Sequence, residues 1–141
     1  RPVFQGWLNF VHVHNTGVAF GFFDGANVFP KTIFFSIITL VAMGIVLVYL
    51  KKTVDAGRLL QGLFLGLICG GAVGNLIDRF RTGAVVDFID VYYKNYHWPA
   101  FNIADAAISV GVALLIIQVF FNDTPRQNEV NQDASGSAPN R

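Results

Sequence analysis

Four aspartates lie in the stretch 75–105 of a chain otherwise poor in charge: Asp78 in GNLIDRF, Asp87 and Asp90 in VVDFID, and Asp105 in FNIAD. Asn75, Arg79 and Asn102 accompany them. Two carboxylates held close together cannot both ionise easily, so they share a proton. The ionised member can draw a proton from water while the protonated member hydrogen-bonds a scissile carbonyl. Such a pair hydrolyses an amide without a metal or a covalent intermediate. Asn75 and Arg79 are spaced i,i+4, so on a helix they share one side.

Each of these residues also has an ordinary structural use. Asp78 beside Arg79 reads equally as interfacial charge that snorkels to water. Asn102 reads as the N-cap of a helix with Asp105 at N3, an arrangement like a capping box. An acid there gains about 0.3–1 kcal/mol from the helix dipole. Asp87 and Asp90 read as solvated charges in a loop. Spacing alone leaves both readings open. Other chemistries find less support. His12 and His14 could share one side of a strand, but no third metal ligand and no HExxH motif accompany them. There is no GxSxG elbow and no glycine-rich phosphate loop. The single cysteine, Cys69, sits in an apolar run and reads as a buried structural thiol, with no disulfide and no CxxC pair possible.

The elements that must position these residues are apolar. The chain of 141 residues is 53% hydrophobic and 13% charged. Soluble domains carry roughly 25% charged residues. Three windows, 32–50, 59–77 and 103–121, are each 19 residues long, and Asp105 is the only charge among them. Nineteen helical residues cover about 28 Å, close to the hydrocarbon thickness of a bilayer. The fold class is therefore an integral membrane α-helical protein. The connection 51–58 is a tight loop, so the first two spans run antiparallel. Residues 79–101 form a longer mixed segment with Tyr92, Tyr93, Tyr96 and Trp98, rings that favour headgroup depth. Residues 7–23 alternate, break at Asn-Thr-Gly and continue in a second aromatic stretch, which predicts a β-hairpin or small sheet. An open sheet cannot sit bare in lipid, so it belongs at the surface beside 79–101. The tail 122–141 has little to bury and reads as disordered. Gly62, Gly66, Gly70 and Gly74 recur every four residues and predict a helix-packing face. The net charge of +1, without a basic stripe, offers nothing to nucleic acid.

Two further classes compete. A small transporter or proton relay would use Asp78 and Asp105, and would carry polar groups on across the bilayer. The other halves of the three windows are nearly free of them. A non-enzymatic scaffold would use the glycine face and leave the aspartates without a role. Orientation is tied on the positive-inside count. Lys51, Lys52, Arg58 and Arg126 lie on one side, and Lys31, Arg79, Arg81 and Lys94 on the other.

HNTGVAFGFF, GNLIDRF, VVDFIDV and PAFNIADAAISVG, in that order, resemble the successive motif blocks of bacterial lipoprotein signal peptidase, or signal peptidase II. The likeness runs from about residue 2 to 121. It implies a multi-pass aspartyl endopeptidase of the bacterial cytoplasmic (inner) membrane. Its fold has four transmembrane helices, a small periplasmic sheet and a periplasmic segment over the site. The resemblance places the catalytic acids on Asp87 and Asp105. It places supporting residues on Asn15 and Gly17, on Asn75, Asp78 and Arg79, and on Asn102 and Ala104. Implied substrates are prolipoproteins with a diacylglyceryl-modified cysteine, cut just before that cysteine. Membrane lipids and globomycin-type inhibitors are implied partners, and no cofactor or metal is. The resemblance also breaks the topology tie: 51–58 and the tail are cytoplasmic, while 1–31 and 79–101 face out. The family's first transmembrane helix precedes the hairpin, and here nothing precedes Arg1, so an N-terminal truncation is expected.

Overall fold

A computed structural model describes residues 1–16 and 28–122. Gly17, the second aromatic stretch expected of the hairpin, and the tail from 123 lie outside the described residues. Three helices are long and apolar enough to cross a membrane: α1 (Val28–Asp55), α2 (Leu59–Thr82) and α3 (Ile103–Asn122). Their apolar side chains are exposed on several sides. On α1, Ile33, Phe34, Ile37, Val41, Ile45 and Val48 all stand uncovered. A helix hydrophobic all round needs an apolar surround, which lipid supplies.

The helices outrun their apolar windows. α1 starts before Lys31 and continues through Lys51, Lys52 and Asp55, which the sequence reading placed in a loop. Nothing in KKTVD breaks a helix, and Lys51 pairs with Asp55 one turn on, at 2.7 Å. α2 also runs one turn further, so Asp78 and Arg79 are helical. It ends at Gly83, whose φ of +78° gives a left-handed cap and whose N–H reaches Arg79 O at 3.0 Å. A side chain there would be strained.

α2 is the central helix and packs on both α1 and α3. The tightest approach is at Gly71, where an added Cβ would stand 2.4 Å from the Ala104 carbonyl oxygen. Gly111 plays the same part on α3, against Phe64 and Ile68. The predicted glycine face is only partly a packing face. Gly62 meets α1 and Gly74 meets Ala104, but Gly66 and Gly70 have nothing within 4 Å of an added Cβ. Steps of four residues overshoot a turn of 3.6, by about 40° each. The stripe therefore winds from the α1 side of α2 to the α3 side and crosses open surface between. Cys69 is half-covered, not buried.

The sheet has four antiparallel strands in the order β1 (Pro2–Phe4), β2 (Leu8–Asn15), β3 (Val85–Tyr93), β4 (Tyr96–His97). The expected N-terminal sheet is present, but half of its strands come from 85–97. The β1–β2 turn falls at Gln5–Trp7, ahead of Asn-Thr-Gly. VVDFID is a strand, not a loop. Its central partner is β2, with Asn15 opposite Val85 and Asn9 opposite Asp90. Valine, isoleucine and phenylalanine favour a pleated, half-buried surface. The charges within the run hid that preference.

Candidate active site

The two ends of the site are set by helix and strand geometry. Asn102 caps α3: its Oδ1 accepts the Asp105 N–H at 3.1 Å, and the Asp105 carboxylate accepts the Asn102 N–H at 3.2 Å. The capping box read from the sequence is therefore present. It does not exhaust either side chain. Asp105 Oδ1 also accepts from Asn75 Nδ2 at 2.7 Å. Asn102 Nδ2 donates to Asp87 Oδ1 at 2.9 Å and to Asn75 Oδ1 at 3.2 Å.

Asp87 enters from β3. It is 1% exposed, the most deeply covered large side chain among the described residues. Its second oxygen accepts from Asn15 Nδ2 at 2.9 Å. Asn15 faces Val85 across the strands, so it lies diagonal to Asp87. A continuous chain of hydrogen bonds thus runs Asn15, Asp87, Asn102, Asn75, Asp105. Strand β2, strand β3, helix α3 and helix α2 each contribute. Burial raises the Asp87 carboxyl above the usual carboxylate range, against the opposing pull of the Asn15 and Asn102 donors, and the charge of nearby Asp105 raises it further.

Asp78 and Arg79 stand behind this chain. Asp78 Oδ2 accepts the Val86 N–H at 3.2 Å, so it ties the start of β3 to α2. The half-buried Arg79 reaches the Asn75 carbonyl oxygen at 3.4 Å and feels the charges of Asp105, Asp78 and Asp87. Ala104 is the residue on which Gly71 and Gly74 close, so it sets how near α3 comes to α2. Of the expected site residues, Gly17 alone lies outside the described residues.

Asp90 is not in the chain. It accepts from Asn9 Nδ2 at 2.9 Å and from His97 Nδ1 at 2.9 Å, and these contacts hold it below the usual carboxylate range. Asp87 and Asp90 are nonetheless both buried, although three residues apart on a strand. The cause is a β-bulge: Phe88 N–H and Ile89 N–H both donate to Phe101 O, at 3.1 and 2.8 Å. Two residues opposite one shift the alternation by a position. Asn9 and His97 escaped the sequence reading because only strand register brings them to Asp90. His12 and His14 are exposed and pack edge to face at 4.8 Å, with no third metal ligand beside them among the described residues.

Two carboxylates linked through Asn102 and Asn75 at one end of an apolar bundle can pass a proton between water and an amide. Residues 1–121 match the family model described as signal peptidase (SPase) II. The lipoprotein signal peptidase of Syntrophus aciditrophicus is 48% identical over 118 residues, 84% of this chain and 73% of that protein. That of Geobacter metallireducens is 47% identical over 130 residues, 92% of this chain and 78% of that protein. A bacterial membrane enzyme solved by the in meso method at 2.3 Å superposes with a TM-score of 0.71 at 37% identity, covering 90% of this chain and 74% of that one.

Proposed function

The chain belongs to the signal peptidase II family, and from that premise we propose that Asp87 and Asp105 are the acids with which it cuts prolipoproteins. It is a multi-pass membrane peptidase that removes the signal peptide of lipoprotein precursors. The transporter reading through Asp78 and Asp105 falls with the family assignment, and Asp78 is engaged in tying down β3. The observation that carries the catalytic reading is the hydrogen-bond chain linking buried Asp87 to Asp105 through Asn102 and Asn75.

In this reading Asp87 carries the shared proton, because burial favours its neutral form. Asp105, held by Asn75 and the Asn102 N–H, takes a proton from water. The water oxygen attacks the scissile carbonyl as Asp87 gives its proton to the carbonyl oxygen. Collapse of the resulting diol breaks the C–N bond. The amine leaves with the proton from Asp105, and Asp87 regains its proton from the diol hydroxyl. Asn15, Asn75 and Asn102 orient the carboxylates and exchange no protons. Asp105 is three residues into α3, about 5 Å by the helical rise. A lipid-anchored cysteine would present its peptide bond near that depth.

The proposed setting is the bacterial inner membrane, with the sheet and site on the periplasmic side and Lys51–Arg58 in the cytoplasm. The bond cut is the one before a diacylglyceryl-modified cysteine, and globomycin-type inhibitors would compete for the same place. Purified protein incubated with a lipidated prolipoprotein peptide and with its unlipidated twin tests this. Cleavage of the lipidated peptide alone is expected. Equal cleavage of both, or of neither, refutes the substrate assignment.

A further inference from the structure

A second polar cluster stands beside the site and has no part in the reaction as derived above. Asp90, 7% exposed, takes hydrogen bonds from Asn9 on β2 and His97 on β4. A carboxylate offers only lone pairs, so His97 Nδ1 is the donor. The His97 ring stacks on Tyr92 at 5.0 Å and 10°, and Tyr92 Oη accepts the Gly6 N–H at 2.7 Å. Three strands and the β1–β2 turn therefore meet at one cluster.

Its place in the chain gives it a consequence. Asp87 precedes Asp90 by three residues, and Asn102 follows His97 by five. The β3–β4 hairpin thus joins the two partners of the Asp87–Asn102 bond. The Asp90–His97 bond closes that hairpin at its base. The backbone holds it at the two residues of β4, at Trp98, whose N–H reaches Val91 O at 2.8 Å, and at Phe101, which bonds Phe88 and Ile89 at 2.8–3.1 Å. A side-chain bond to a charged carboxylate is the stronger tie.

We infer that Asp90 and His97 are positioning residues for cleavage: their bond closes the β3–β4 hairpin and, together with the backbone bonds of Trp98 and Phe101, keeps the Asn102 amide on Asp87. The inference rests on the reading of Asp87 as a catalytic acid. The test compares the full-length protein in detergent with His97→Ala, His97→Asn, Asp90→Ala and the double variant His97→Ala/Asp90→Ala. Readouts are kcat and KM on a lipidated prolipoprotein peptide, thermal unfolding, and amide hydrogen exchange over 96–102. His97→Ala should lower kcat roughly tenfold, the scale of one hydrogen bond to a charged group, with KM within about twofold. Exchange over 96–102 should quicken. His97→Asn, whose amide nitrogen falls near the Nδ1 position, should recover most of the loss. In the Asp90→Ala background, His97→Ala should cost nothing more. Unchanged kcat and exchange in His97→Ala would overturn the inference, as would an equal loss in the Ala and Asn variants or an additive double variant. Should His97→Ala not fold, exchange in Asp90→Ala decides: rates over 96–102 equal to wild type refute the clasp. An inactive wild type would sink the catalytic reading of Asp87 and leave the exchange comparison to judge the clasp.

Discussion

Asn102 and Asp87 are joined at 2.9 Å across fifteen residues of chain, with helix α3 supplying the donor and strand β3 the acceptor. The same amide nitrogen reaches Asn75 on α2 at 3.2 Å. One side chain therefore ties three elements together at the point where the two carboxylates approach. Most expectations about activity follow from that tie.

Asp105 serves both the helix end and the proposed reaction, and Asp105→Asn separates the two. Losing only the dipole and capping interaction would cost about 0.3–1 kcal/mol and leave cleavage intact. Losing half of a proton-sharing pair should lower cleavage by at least about 10²-fold. We expect the second outcome with little change in thermal unfolding. A folded variant that cleaves at near wild-type rate would remove Asp105 from the mechanism.

Asp87 and Asp90 should separate cleanly despite their similar burial. Asp87→Asn is expected to lose at least about 10²-fold in kcat, and Asp90→Asn to stay within about tenfold of wild type. Steady-state rates on a lipidated peptide measure both. The reverse ranking would mean that the proton moves at the second cluster.

Stability should carry the signature of Asp87 titration. Its folded-state value is raised by burial, so the neutral form stabilises the fold. That contribution is complete below the unfolded value of about 3.9 and is lost as pH rises through the raised folded value. Thermal unfolding of wild type minus that of Asp87→Asn, followed upward from about pH 4, should therefore fall with pH. A flat difference would show that Asp87 ionises as freely in the fold as out of it.

Asn75 and Arg79 are expected to affect stability and activity together. Asn75→Ala leaves Asp105 without its 2.7 Å donor and removes one of the two acceptors of Asn102 Nδ2. Unpaired buried groups cost about 1–3 kcal/mol, so a lower unfolding temperature should accompany the lower rate. Arg79 stays charged and cannot act as a base. Full stability in either alanine variant, with activity as low as in the aspartate variants, would instead place that residue in the chemistry.

The glycines of α2 should not be equivalent. At Gly71 an added methyl meets the Ala104 carbonyl, next to Asp105, while at Gly66 it meets nothing. Gly71→Ala should cost about 1–3 kcal/mol and impair cleavage by displacing α3. Gly66→Ala should be close to neutral on both counts. Equal effects would mean that another surface covers Gly66.

Much of this was legible in the residues themselves. Long uncharged runs can only be buried or lipid-exposed, so the three spans were fixed by composition, and α3 matches its window almost to the residue. The Asn102–Asp105 cap was legible because capping acts over three residues. The motif blocks carried the family, and from it comes the proposal of Asp87.

What remained belonged to contacts between distant segments. VVDFID read as a loop because its charges face inward, and only pairing with Asn9 and Asn15 of β2 makes that tolerable. The bulge opposite Phe101 decided that two acids three residues apart are both buried. The glycine repeat looked like one packing face, but its winding left Gly66 and Gly70 uncovered and gave the close approach to Gly71. Local sequence determines which elements form, because helix caps and apolar runs act within a few residues. The alignment of Asn15, Asp87, Asn102, Asn75 and Asp105 is a tertiary result, because each bond in it joins residues that the chain holds far apart.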